Sequence, residues 1–260
     1  MIFVVPTEAK RDDDTLYGVR KLSYFANGMD YNNIYAYGYV ANKMFADVIV
    51  RIGSDVSKLG YSSEVYVVSR FTTAINSDGR PVQKLYVYKD GKEMGYEGEE
   101  GVDCTIATLD PATVYQPGVR TLAPNESHRK INTGDVIRFS LNAKGRIAEI
   151  QLFFSAESSS YYPANPLDGN NGQFTLGYGV IDRIEKSTIK YKRAGSENDF
   201  EYYTGADKFK IYVYNAKENS AKKLRVGDLT DIVTTQMNNP STVVYYTKYG
   251  QPNTLVVYNY

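Results

Sequence analysis

Apolar and polar residues alternate along much of this chain. Val136 to Leu141 reads V-I-R-F-S-L, which sets Ile137, Phe139 and Leu141 on one face of a strand. Ala148, Ile150, Leu152 and Phe154 repeat the pattern, with Glu149 and Gln151 opposite. Between them Asn142-Ala143-Lys144-Gly145 supplies a compact turn with a glycine for positive φ. The stretch from Gly134 to Phe154 is therefore predicted to be a hairpin. Windows of about 12 residues with apolar positions at i, i+3, i+4 and i+7 are interrupted throughout by Gly, Pro or β-branched runs. The expected fold is all-β.

The strand grammar recurs. Leu224 to Leu229 introduces a strand, and Thr242 to Thr247 is expected to pair, through Lys248 to Asn253, with Thr254 to Tyr258. Gly134-Asp135 and Gly227-Asp228 each follow a basic-polar lead-in and precede strands that close a unit. Upstream, Val65 to Phe71 leads through Asn76-Ser77-Asp78-Gly79 to Gln83–Tyr88. Val180 to Ile184 leads through Ile189–Lys192 to Lys210–Tyr214. Two degenerate copies covering 60–156 and 174–260 explain this, with convergent strand grammar as the alternative. Each has the length of a small antiparallel barrel or sandwich of SH3 or OB size. The expected organisation is an N-terminal β unit (1–56), a first small barrel (57–156), a linker or long loop (157–173) and a second small barrel (174–260). Ser158-Ser159-Ser160, Pro163, Pro166 and Asp168-Gly169-Asn170-Asn171-Gly172 mark the linker. The N-terminal unit is too small for a comfortable core of its own, so it should pack on the next unit or pair with a further segment.

Composition narrows the chemistry. Thirty basic and 30 acidic residues in a chain of 260 argue against a general nucleic-acid binder. An apolar content of 42% is enough for a folded core. Apolar runs are far shorter than the roughly 20 residues of a membrane-spanning helix. One Cys and one His exclude an intrachain disulfide and a zinc site built from several such ligands. Met1 to Pro6 lacks a basic leader and an apolar secretory core, so the expectation is a cytosolic protein or an internal piece of a longer exported chain.

Gly134-Asp135-Val136-Ile137-Arg138-Phe139-Ser140-Leu141-Asn142-Ala143-Lys144-Gly145-Arg146-Ile147, with its lead-in, resembles a module of long cell-surface proteins of clostridial-type bacteria. Those proteins carry surface-layer homology domains elsewhere in the chain. Val180 to Glu185, Ile211 to Tyr214 and Val226-Gly227-Asp228 look like the same module again. Phe3 to Pro6, Val19 to Phe25 and Ala46 to Val50 are similar to the unit that alternates with it. The resemblance implies an extracellular, structural or adhesive array of β modules on a bacterial surface, with no catalytic residues to carry over. The anchoring domains themselves are not visible in this sequence.

Candidate chemistry is sparse. Cys104 sits in an alternating run and reads as a small buried hydrophobe, and His128 sits in a polar stretch. Weak calcium candidates are Asp168, Asn170 and Asn171, with Asp12-Asp13-Asp14 and Asn76-Ser77-Asp78-Gly79 behind them, but none forms the twelve-residue calcium loop. Glu97, Glu99 and Glu100 read as a solvated Gly-rich turn. No other cofactor is expected. The anomaly is 25 Tyr with no Trp. Spacing of two puts Tyr35 with Tyr37, Tyr86 with Tyr88, and Tyr212 with Tyr214 on shared strand faces, and Tyr258 joins them as an interaction candidate. These rings either pair across strands or contact another module, another copy of the chain or cell-wall material. Missing Trp favours protein over sugar. The expected function is a non-enzymatic structural or interaction segment, with a phage or filament subunit and a glycan-binding adhesin as alternatives.

Overall fold

The computed structural model describes residues 2–5, 17–20, 33–38, 46–52, 64–76, 79–98, 102–108, 128–141, 145–161, 174–194, 200–219 and 222–260. They form an all-β structure of three sheets. The first holds β1 (Ile2–Val5), β2 (Gly18–Arg20), β3 (Ile34–Tyr37) and β4 (Val48–Ile52), in the order β2-β1-β4-β3. The second holds β5 (Tyr66–Ile75), β6 (Pro81–Lys89), β7 (Lys92–Glu97), β8 (Ile106–Thr108), β9 (His128–Lys130), β10 (Val136–Leu141), β11 (Ile147–Ser155) and the short β12 (Ser160–Tyr161). The third holds β13 (Phe174–Glu185), β14 (Thr188–Arg193), β15 (Phe200–Thr204), β16 (Lys210–Asn215), β17 (Leu224–Gly227), β18 (Thr242–Lys248) and β19 (Gln251–Asn259).

The second and third sheets share one topology. Their orders are β7-β6-β5-β10-β11-β8-β9 and β15-β14-β13-β18-β19-β16-β17. Numbered within each sheet, both read 3-2-1-6-7-4-5. Strand seven runs parallel to strand four, and every other pair in the series is antiparallel. Irregularities recur at the same places. The ladder between strands one and two slips at Ser69 in one sheet and at Asp182 in the other. The ladder between strands six and seven slips at Ala148 and at Asn253. Each bulge of strand one is then anchored alike: Thr133 Oγ1 donates to the Ser69 carbonyl (2.8 Å), and Thr235 Oγ1 donates to that of Asp182 (3.2 Å). A bulge bends its strand and raises local twist, so the shared bulges give the two sheets the same curl.

Each sheet curls over its own apolar face. Leu85, Val87, Ile137, Phe139, Ile150 and Leu152 lie in one cluster, and Ile181, Ile189, Ile211, Val243, Leu255 and Val257 lie in another. The curl stops short of the expected barrels. Among the described residues no sheet is closed, and in the second a bridge from Gly98 to Ile147 joins the end of β7 to β11. Two further expectations change. Phe154 does not share the face of Ile150 and Leu152, because a second slip in the ladder, between Val136 and Ile137, turns it outward. The loop expected over Lys248–Asn253 shrinks to Tyr249-Gly250, both at positive φ, as a two-residue hairpin turn requires.

Gly134-Asp135 and Gly227-Asp228 prove to be out of step. The Asn132 amide donates to Asp135 Oδ2 (2.8 Å), and the Asp228 amide donates to Asp231 Oδ2 (2.9 Å). Asp231 thus repeats the turn contact of Asp135, while in register the residue before strand six is Asp135 in one sheet and Ser241 in the other. Asp231 remains partly exposed and pairs with Arg225, whereas Asp135 is fully buried. Asp135 Oδ1 also accepts from the Ala156 amide (2.7 Å), tying the start of β10 to the end of β11. Burial pushes the Asp135 carboxyl up to about 7, against the pull of its two amide donors. Between pH about 4 and about 7 the folded state thus holds a proton that the unfolded chain releases. The contribution of Asp135 to stability is complete below that window, is lost as pH rises through it and is level above it. The stability advantage of wild type over Asp135→Asn, read by urea unfolding, should be larger at about pH 5 than at about pH 8.

Candidate interaction surface

The outward faces of the two seven-stranded arrangements meet each other. Val65, Val67, Val136, Phe153 and Phe154 from one side pack with Tyr212, Tyr214, Val244, Tyr246, Val256 and Tyr258 from the other in one buried cluster. Alternation along the strands made this possible: Ile211 and Val213 fill the inner core of the third sheet while Tyr212 and Tyr214 face the seam. Phe154 and Tyr258 touch at 4.4 Å between ring centroids, Tyr88 and Tyr212 at 5.2 Å, and Tyr161 stacks on Tyr178 at 5.5 Å.

The tyrosine hydroxyls find backbone partners across the seam. Tyr258 Oη donates to the Gly134 carbonyl (2.8 Å), Tyr260 Oη to the Ala156 carbonyl (3.0 Å) and Tyr161 Oη to the Leu176 carbonyl (3.0 Å). Tyr212 Oη accepts from the Gly91 amide (2.8 Å). A buried hydroxyl without a partner costs about 1–3 kcal/mol, so these four contacts fix where one sheet sits on the other. Burial raises the Tyr258 hydroxyl well above its ordinary pKa and pushes Tyr212 and Tyr260 up to about 12, which keeps all three neutral. At the rim Glu64 bridges Lys89 (3.8 Å) and Lys248.

The sequence candidates separate accordingly. Tyr212, Tyr214 and Tyr258 are spent inside the chain and are not free for another molecule. Tyr88 is half-buried against the same seam. Tyr86 carries the Arg70 guanidinium over its ring at 3.6 Å, and Arg70 is held by Glu93. Tyr35 and Tyr37 are open, at 48% and 56% exposure. Asp168, Asn170 and Asn171 lie outside the described residues, as do Asp12, Asp13, Asp14, Glu99 and Glu100. Asn76 uses its side chain to accept from the Arg80 amide, the work of a turn residue. Cys104 is fully buried, and burial pushes its thiol up to about 11. In the β8–β9 register His128 lies opposite Thr108, four residues along from Cys104, or on the order of 10 Å away.

One polar cluster was not anticipated. Glu201 on β15 accepts from Tyr203, Tyr245 and Arg193 inside the third sheet. Burial opposes its ionisation, but the two hydroxyls and the guanidinium outweigh that and hold the carboxyl below its ordinary range. Glu201 and Tyr203 at spacing two were the available signal. Tyr191 stands beside this cluster with its ring 4.5 Å from Tyr245, and among the described residues its buried hydroxyl has no partner. Held by three donors, this carboxylate ties β14, β15 and β18 together as a clasp, and burial pushes the Tyr203 and Tyr191 hydroxyls toward the neutral form.

The chain matches no family model, no curated protein and no solved structure.

Two expectations follow from this geometry. Gly134 sits at φ 90°, and a Cβ there would lie 2.3 Å from the Tyr214 ring. Gly134→Ala should therefore lose about 2–3 kcal/mol in urea unfolding, and Tyr258→Phe about 1–2 kcal/mol, while Tyr37→Phe changes little. In the clasp, Tyr245→Phe should cost about 1–2 kcal/mol, whereas Tyr191→Phe, which removes an unpartnered hydroxyl, should be neutral or stabilising.

Proposed function

We propose that this chain is a non-enzymatic structural or interaction segment of an extracellular bacterial surface protein, of surface-layer or wall-associated type, that assembles through contacts between β units. The observation that carries this reading is the seam. Two sheets of identical strand order dock through tyrosine-rich faces, with hydroxyls aimed at backbone groups. We read them as two copies of one unit set in tandem. A unit that offers such a face to its neighbour is suited to arrays, because backbone partners tolerate sequence drift in the neighbour. The buried thiol of Cys104 and the triply bonded Glu201 support an inert framework. The resemblance to surface proteins supplies the location. Among the described residues no helix is long and apolar enough to cross a membrane.

Edge strands extend the same logic to other chains. β7, β15 and β17 lie at sheet edges, and exposed Tyr202 and Val226 stand on two of them. Sedimentation over a concentration series should show mass rising above that of one chain, and the protein should be retained by isolated bacterial wall material. A chain that stays monomeric at high concentration and binds no wall material would overturn the assembly reading.

A further inference from the structure

The small N-terminal sheet has the order and directions of half of the larger unit. In both complete sheets the last four strands are arranged five-four-seven-six, with seven parallel to four and the other pairs antiparallel. The first sheet reads β2-β1-β4-β3, with β4 parallel to β1, β1 antiparallel to β2 and β3 antiparallel to β4. In chain order β1, β2, β3 and β4 therefore stand where strands four, five, six and seven stand in the complete sheets. The residues agree. Ile2-Phe3-Val4-Val5 matches Ile211-Tyr212-Val213-Tyr214, and in both the first and third side chains are buried. Ile2 pairs with Ile49 as Ile211 pairs with Leu255.

In each complete sheet strand six carries strand one on its outer side, β5 on β10 and β13 on β18. Among the described residues nothing pairs with β3 on that side. Its Ile34, Tyr35, Ala36 and Tyr37 are all exposed. The Asn33 carbonyl accepts from the Ile52 amide, so by alternation Ile34 and Ala36 turn their amides and carbonyls to the open edge. An uncovered edge of apolar and aromatic residues is a template for an incoming strand.

We propose that the open edge of β3 is a docking site for a strand of the β5 and β13 type, supplied by another β unit of the same kind and completing the seven-stranded order by strand addition. The occupant is chosen by the chain itself, which places such a strand against strand six twice. Both donor strands carry the same pattern from the end of their ladder to strand six onward, Val67-Val68-Ser69-Arg70 and Val180-Ile181-Asp182-Arg183, with the bulge at Ser69 and Asp182. The proposal takes its partner from the assembly reading and deepens it.

A synthetic peptide with the sequence of Phe174–Glu185, titrated into the full chain, tests it. Saturable binding is expected, with exchange of the Ile34 and Ala36 amides slowed about tenfold or more. The same peptide carrying N-methyl groups at alternate residues, which removes its ladder donors without altering the protein, should not bind. Absence of binding, equal binding of the methylated peptide, or protection at β7, β15 or β17 instead of β3 would overturn the proposal. Failure of wall binding or self-association with the peptide still protecting β3 would remove the assembly reading alone.

Discussion

Both faces of the central strands are buried, so a polar group caught between them costs free energy unless it is bonded. That constraint shapes the molecule. β10, β11, β18 and β19 turn one face to the core of their own sheet and the other to the seam. Tyrosine suits the seam because its ring fills apolar space while its hydroxyl reaches a backbone group. The four hydroxyl contacts land on Gly91, Gly134, Ala156 and Leu176, and three of these lie in turns or beside strand ends. The turn at Gly134 is in turn braced by Asp135, whose buried carboxyl joins the starts and ends of neighbouring strands.

One difference between the two sheets falls in their inner cores. The fourth residue of strand six is Phe139 in one and Tyr245 in the other. Phe139 is enclosed by Tyr66 at 4.3 Å and Tyr96 at 4.8 Å, an uncharged aromatic trio. Tyr245 is enclosed by Tyr191 at 4.5 Å and Tyr203 at 4.9 Å, with Glu201 and Arg193 added. One scaffold thus tolerates an uncharged aromatic centre and a charged clasp at corresponding places. What stays fixed is the backbone: strand order, two bulges and a threonine hydroxyl on the first bulge.

Period-two alternation made the strands readable, because half-buried sheets require it. The hairpin of β10 and β11 was legible down to the shared face of Ile137 and Phe139. The pairings that close the order were not. β8 with β11 and β16 with β19 are parallel and join strands far apart in sequence, which no local pattern encodes. Bulges were equally hidden, and a single extra residue carried Phe154 from the inner core to the seam. Tyrosines at spacing two announced contact faces, but alternation alone does not say whether the partner lies in the same chain. The Glu201 clasp gathers residues from three strands and left only a faint trace in the sequence.

The account rests on the seam joining the two sheets into one cooperative structure. Native-state hydrogen exchange tests this directly, by comparing the opening free energies of amides in β10 and β18 for the wild-type chain and for Tyr212→Ala. The account predicts one shared opening free energy in the wild type, splitting into two when the seam is weakened. Two separate values in the wild type, unchanged by Tyr212→Ala, would contradict it.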